Sequence, residues 1–136
     1  MEHKKADFKR KINHIISAPF IWILIIPLTI LDIFVEIYHR ICFPLYGLPY
    51  IKRKSYIRIW DRPQLKYLNF FDKIACAYCG YANGWLHYAS VIAAKTEKYW
   101  CGIKHKRYKG FIPNLHEKEF LEYGNEKQYR KFIMKK

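Results

Sequence analysis

Residues 15–31 read IISAPFIWILIIPLTIL, seventeen consecutive positions without a charged side chain. A helix needs about 20 mainly apolar residues to cross a bilayer, within a range of about 17–25, so this run lies at the lower limit. It contains Pro19 and Pro27, it is followed by acidic residues, and no small-residue cleavage signal ends it. These features argue against a removable signal peptide. The run therefore predicts a retained membrane segment.

Basic side chains occur on both sides of this run: Lys4, Lys5, Lys9, Arg10 and Lys11 before it, and Arg40, Lys52, Arg53, Lys54 and Arg58 after it. The positive-inside rule then gives a simple span no preferred direction. A re-entrant hairpin bent near Pro27, or a helix lying in the headgroup layer, would keep both flanks on the cytoplasmic side. A tilted span and a buried soluble helix are the alternatives. We expect the basic flanks to contact anionic lipid and the soluble part to be cytoplasmic.

Length and composition set the outline of the rest. The chain has 136 residues, a formal net charge of +14 and 51% apolar residues, which excludes both an acidic scaffold and a wholly disordered chain. We expect an all-α protein in two parts. Residues 1–51 form a basic N-terminus, a membrane helix or re-entrant hairpin, and a surface linker. Residues 52–136 form a small, metal-stapled helical domain.

Helical spacing of apolar residues predicts the elements of the second part. Residues 61–63, Asp-Arg-Pro, suggest a helix start, and residues 64–74 carry apolar side chains on one face. Asn83-Gly84 is a turn signal, and residues 85–100 form a second predicted helix. Residues 117–132 are a charged amphipathic segment.

Cysteines and a histidine supply the clearest chemical signal. Cys76 and Cys79 are separated by two residues, and Cys101 and His105 by three. Three thiolates and an imidazole are a common tetrahedral ligand set for structural zinc, and iron is a second option. The spacing predicts a metal site that would stabilise a small domain.

One geometric condition limits this metal prediction. If residues 85–100 form a straight helix, its ends lie about 24 Å apart at about 1.5 Å per residue. Cys79 and Cys101 could share an ion only if the segment around Asn83-Gly84 folds back along that helix. Cys42 is an alternative ligand to His105. A disulfide and buried unligated cysteines are the other readings of these thiols.

A polar stripe follows the apolar run. Asp32, Glu36 and His39 lie on one helix face, and Glu36-x-x-His39 has the spacing of ligands in di-metal helical bundles. The chain has no second Glu-x-x-His pair, so a simpler reading is that Arg40 or a basic residue of the soluble part pairs the acids. In an enzyme, His87 and Glu97 would join this stripe as further candidates for acid–base catalysis.

The string from Asp61 to His105 resembles an uncharacterised family of small bacterial membrane-associated proteins. Its pattern is C-x-Y-C-x-Y-A-N-G followed by T-E-x-Y-W-C-x-I-K-H, and the resemblance extends back to about Pro27. It implies no activity. It does imply that one pattern unites Cys76, Cys79, Asn83, Gly84, Thr96, Glu97, Trp100, Cys101 and His105. The chain departs from the family at Gly102, where relatives have Pro, and at Val91, where they have an acid.

Three functions fit these observations. The favoured one is a membrane-anchored, metal-binding accessory or interaction module that docks on a larger membrane assembly. The second is an enzyme acting on a lipid or membrane-embedded substrate through Glu36 and His39. The third is a nucleic-acid-binding zinc protein, which the net charge of +14 supports. Nucleic acid is the less favoured partner, because lipid accounts for the basic flanks.

Overall fold

A computed structural model describes the chain from residue 2 to residue 135, with side chains described from residue 8 onward. Four α-helices and three short 3₁₀ helices make up the regular structure, and the described residues form no strand. The α-helices are α1 (Glu2–Ile23), α2 (Ile25–Leu45), α3 (Phe70–Trp100) and α4 (Glu126–Ile133). The 3₁₀ helices are Arg53–Ser55, Arg62–Gln64 and Leu115–Glu119. The prediction of a helical protein with a long apolar helix at its N-terminal end is confirmed.

The helices α1 and α2 are two parts of one helix, interrupted at Leu24. They are separated by Leu24, whose φ of −64° and ψ of −18° are themselves helical. Pro27 has no backbone N–H, so it cannot close the helical hydrogen bond to Ile23, and the regular helix is interrupted just before it, at Leu24. By length and composition, residues Phe8–Leu45 could cross a membrane. The chain does not reverse at Pro27, so the re-entrant hairpin is not the structure this segment adopts.

The helix α3 is continuous through Asn83 and Gly84, where the sequence indicated a turn. That prediction was wrong because it relied on local sequence preference alone. Gly80 and Gly84 instead allow the backbone of a distant segment to pack closely against α3. A Cβ on Gly84 would lie 2.7 Å from the carbonyl oxygen of Tyr56, and one on Gly80 would overlap the carbonyl of Arg58. The side chain of Asn83 donates to the carbonyl of Cys79 at 3.0 Å, which ties it to its own helix.

The start of α3 also differs from the sequence prediction of a helix over residues 64–74. Asp61 and Pro63 begin only a single 3₁₀ turn, in which the Asp61 carboxylate accepts from the Arg62 amide at 2.8 Å. Leu65 is extended, with ψ of 124°, and ends that turn. The α-helix begins at Phe70, where the Asn69 side chain accepts from the Asp72 amide at 2.9 Å and caps it.

Beyond α3 the chain turns on Gly102, whose φ of 53° suits glycine, and whose amide donates to the Glu97 carbonyl. An isolated bridge joins Ile103 to Leu121. The predicted amphipathic segment over residues 117–132 is correct only in part. It is interrupted at Gly124, with φ of 76°, and its regular helix is α4.

The backbone divides into two compact units, one ending at Leu86 and one beginning at His87. Each unit has a small set of buried side chains. In the first they are Asp32, His39, Phe43, Ile51 and Trp85, and in the second Tyr88, Ile92, Glu117 and Phe120. Most of the apolar surface of α1 and α2 lies outside these cores and is exposed.

Candidate functional site

A buried polar cluster joins α2 to the linker and to α3 within the first unit. Two guanidinium nitrogens of Arg53 each donate to one carboxylate oxygen of Asp32, both at 2.5 Å. The phenol of Tyr81 donates to the same carboxylate at 2.8 Å. The Trp85 indole lies beside this carboxyl, but its buried Nε1 meets no acceptor at hydrogen-bond geometry in the described chain.

The electrostatics of this cluster fix its charge states. Hydrogen bonds from Arg53 to Asp32 raise the pKa of the guanidinium, so Arg53 stays cationic. Burial raises the pKa of the Tyr81 phenol, and its hydrogen bond to Asp32 raises it further. Tyr81 therefore remains a neutral donor near neutral pH. Because Asp32 is only 8% exposed, removing Arg53 would leave this carboxylate poorly solvated.

The predicted pairing of the stripe with basic residues is present. Glu36 accepts from the Arg40 guanidinium at 2.7 Å and from the Tyr50 phenol at 2.8 Å. The paired acids thus hold α2 against the linker that follows it. This arrangement accounts for charged residues beside an apolar run without invoking a reaction.

His39 is fully buried and serves as an acceptor. Its Nε2 accepts the backbone amide of Ile51 at 3.1 Å, and its ring stacks on Tyr50 with centroids 4.3 Å apart. A nitrogen that accepts an amide hydrogen carries no proton of its own, so the ring proton belongs on Nδ1. His39 therefore positions the linker.

The other two candidates for acid–base catalysis belong to the second unit. The imidazole of His116 lies 3.2 Å from the Glu97 carboxylate. His87 lines a cavity of about 580 Å³ together with Lys95, Lys98 and His116. The proposed catalytic residues thus fall into separate clusters, Asp32, Glu36 and His39 in one unit and His87 and Glu97 in the other.

The predicted metal ligands are not brought together. Cys76 and Cys79 lie within α3, whereas Cys101 follows its last residue. Cys79 and Cys101 are 22 positions apart in the sequence. The segment around Asn83 and Gly84, where the sequence allowed a fold-back, is helical.

The two remaining candidate ligands have other settings. Cys42 lies on α2, and the ring of His105 packs against Phe111 with centroids 5.9 Å apart. Among the residues that the structure describes, no group of three or more His, Cys, Asp or Glu side chains could hold a metal ion.

Sequence reasoning missed a cleft between α1 and the first part of α3, hereafter the α1–α3 cleft. It has a volume of about 540 Å³ and lies wholly within the first unit. Small side chains, Ser17 and Ala18 on one wall and Ala75 on the other, leave space between the two helices. These small residues were the signal for it in the sequence.

No family model, curated protein or solved structure matches this chain.

Proposed function

We propose that this protein is a monotopic membrane protein, with α1 and α2 lying in the interface of an anionic bilayer and the soluble part on its cytoplasmic side. In this proposal it acts as an accessory or interaction module that a larger membrane assembly can recruit. The observation that carries the proposal is the course of the charged linker, residues 46–69, alongside the apolar helix.

The exposed apolar surface supports contact with lipid. Large apolar side chains on α1 and α2 are more than half exposed, including Ile15, Phe20, Phe34 and Leu45. A soluble monomer seldom exposes a continuous apolar patch of this extent. A bilayer would cover these side chains, and the gain is about 25 cal/mol for each Å² of apolar surface removed from water.

The linker favours an in-plane helix over a tilted span. Ile51 contacts His39, Arg53 pairs with Asp32, and the backbone of residues 56–59 lies against Gly84 and Gly80 of α3. Tyr78 of α3 in turn donates to the carbonyl of Ile21. The linker thus runs back beside the helix formed by α1 and α2. A transmembrane orientation would place this part of that helix in hydrocarbon.

A perpendicular span would carry this linker into the bilayer with it. Lys52, Lys54 and Arg58 are exposed residues of the linker, and each would cost about 2.5–3.5 kcal/mol at the centre of the hydrocarbon. An in-plane helix avoids that cost, because the linker stays on the aqueous side. Exposed Lys9, Arg10 and Lys11 can then reach anionic headgroups.

A depth measurement on vesicles tests this proposal. Single spin-labelled cysteines at Ile16, Leu24, Phe34 and Ile41, in a background without the four native cysteines, report immersion through accessibility to oxygen and to a water-soluble nickel chelate. An in-plane helix places the labels on its lipid face at one shallow depth. A span gives a depth maximum near Leu24 with shallow ends, and that profile would contradict the proposal.

The proposal includes neither metal binding nor catalysis. Its support comes from exposed apolar side chains, linker contacts and basic flanks. The cysteines do not contribute to it, and Glu36 and His39 contribute only through their contacts with the linker.

A further inference from the structure

The α1–α3 cleft forms a slot between the two helices, with an aromatic pair at one end. At that end the rings of Trp22 and Tyr78 have centroids 5.0 Å apart, and the Tyr78 phenol donates to the Ile21 carbonyl at 2.9 Å. The phenol is thus satisfied by the protein backbone. What faces the cleft at this end is mainly aromatic surface.

The other end of the slot is polar. Residues 14–22 of α1 and 71–79 of α3 form its walls, and Tyr78 lies beside Ile21 and Trp22, so the two helices run in the same direction. His14 and Asp72 therefore mark the end away from the aromatic pair. Exposed Lys9, Arg10 and Lys11 come just before it on α1.

We propose that the α1–α3 cleft binds one acyl chain of an anionic phospholipid drawn from the bilayer, with its headgroup at the His14 end. This inference rests on the proposed in-plane position of α1. The volume of about 540 Å³ is within the range of about 300–1,000 Å³ typical of ligand pockets. The apolar walls suit a hydrocarbon chain.

Two further features select this occupant. The cleft adjoins the exposed apolar face of α1 at Ile15, the residue after His14, so a chain could enter from the lipid without crossing water. Asp72 adds a negative charge at the mouth, but three cations on α1 oppose it. An anionic headgroup therefore has a favourable site beside the entrance.

Photo-crosslinking in vesicles of phosphatidylglycerol and phosphatidylcholine tests the proposal. One phosphatidylglycerol probe carries a diazirine near the carbonyl of an acyl chain, and a second carries it at the terminal carbon. The first probe should label the peptides containing His14 and Asp72. The second should label Trp22 and Tyr78. If both probes label the same positions equally, the slot does not hold a chain lengthwise and the proposal is wrong.

Slot-filling variants separate specific binding from general contact with lipid. Ala75→Phe and the milder Ala18→Leu should abolish terminal-carbon labelling at Tyr78, while Ile16→Phe adds bulk on the exposed face and should leave it unchanged. Circular dichroism confirms that each variant is folded. Unchanged labelling in a folded Ala18→Leu or Ala75→Phe variant would overturn the proposal.

Vesicle flotation of the same samples distinguishes this inference from the function on which it rests. Protein that floats without labelling at Tyr78 overturns the cleft proposal alone. Protein that stays unbound overturns membrane association and the cleft proposal together. Equal labelling by zwitterionic and anionic probes would overturn the headgroup preference.

Discussion

Gly84 lies directly against the backbone of Tyr56, so close that a Cβ on the glycine would be 2.7 Å from the Tyr56 carbonyl oxygen. Four residues earlier, Gly80 makes the same kind of approach to Arg58. Gly80 and Gly84 thus give one turn of α3 a surface without side chains, against which the linker backbone packs. The position of the linker along α3 depends on this contact.

We expect Gly84→Ala to lower the free energy of unfolding by about 1–3 kcal/mol, the usual cost of overpacking. Alanine is the better helix former by about 0.8–1.0 kcal/mol, so a net loss identifies the linker contact as the cause. Thermal unfolding in detergent micelles, followed by circular dichroism, measures the change. The control is Asn83→Ala at the adjacent exposed position, which should change stability little. A Gly84→Ala protein at least as stable as wild type would contradict the packing argument.

Removing the charge of Asp32 should be more damaging. Asp32→Asn keeps the shape of the side chain but leaves Arg53 without its carboxylate, and breaking a buried pair costs about 3–5 kcal/mol. We expect the lower end of this range, because the Arg53 side chain is 34% exposed. The measurement is again thermal unfolding in micelles.

Two comparisons control for the role of burial. Glu36→Gln breaks a more exposed pair with Arg40 and should cost about 1 kcal/mol or less. The triple variant Asp32→Leu, Arg53→Met, Tyr81→Phe replaces the cluster by apolar residues and should recover most of the stability lost in Asp32→Asn. If Asp32→Asn costs no more than Glu36→Gln, the cluster does not hold α2 in place.

The apolar run and the polar stripe were predictable because their information is local. Residues 15–31 are too apolar for a loop, and Asp32 and Glu36 follow at helical spacing, so a helix and paired acids were expected. The identity of one partner was not predictable. Arg53 is one of 25 basic residues in the chain, and nothing in its neighbours distinguishes it before the linker folds back.

The described residues do not support the metal site predicted from the cysteines. Spacing shows which residues could share an ion only if the chain between them turns, and the expected turn at Asn83-Gly84 is helix. A Gly beside an Asn indicates a turn when local preferences decide the structure. Here a distant segment, Tyr56 and its neighbours, determined why glycine is present, and a single sequence carries no sign of that contact.

The cluster around Tyr81 predicts a specific alkaline instability. The pKa of Tyr81 is raised above its ordinary value of 10.0, so the folded protein holds this proton at a pH where the unfolded chain has lost it. Stability from this group is therefore complete below pH 10 and falls as pH rises through the folded-state pKa. Wild type should lose stability more steeply above pH 10 than Tyr81→Phe, measured as the slope of unfolding free energy against pH. The exposed Tyr67→Phe should keep the wild-type slope, and a shared slope for all three proteins would count against the shift.

Membrane binding should depend on the basic residues at the start of the apolar helix. Each basic side chain near an anionic surface contributes about 1 kcal/mol, so replacing Lys9, Arg10 and Lys11 by Ala should weaken binding to phosphatidylglycerol vesicles by up to about 100-fold. The difference should shrink as salt is added, because screening removes the electrostatic contribution. Quantitative vesicle sedimentation across a salt series measures both effects.

A charge-matched variant shows whether the weaker vesicle binding comes from the position of the three basic residues or from the lower net charge. Replacing Lys106, Arg107 and Lys109 by Ala removes the same three charges from an exposed loop of the second unit. If α1 is the part that meets the bilayer, this variant should bind much as wild type does. Equal weakening in the two triple variants would mean that net charge alone draws the protein to the membrane. The in-plane helix would then lose its electrostatic support, since its basic flank would contribute no more than any other three cations.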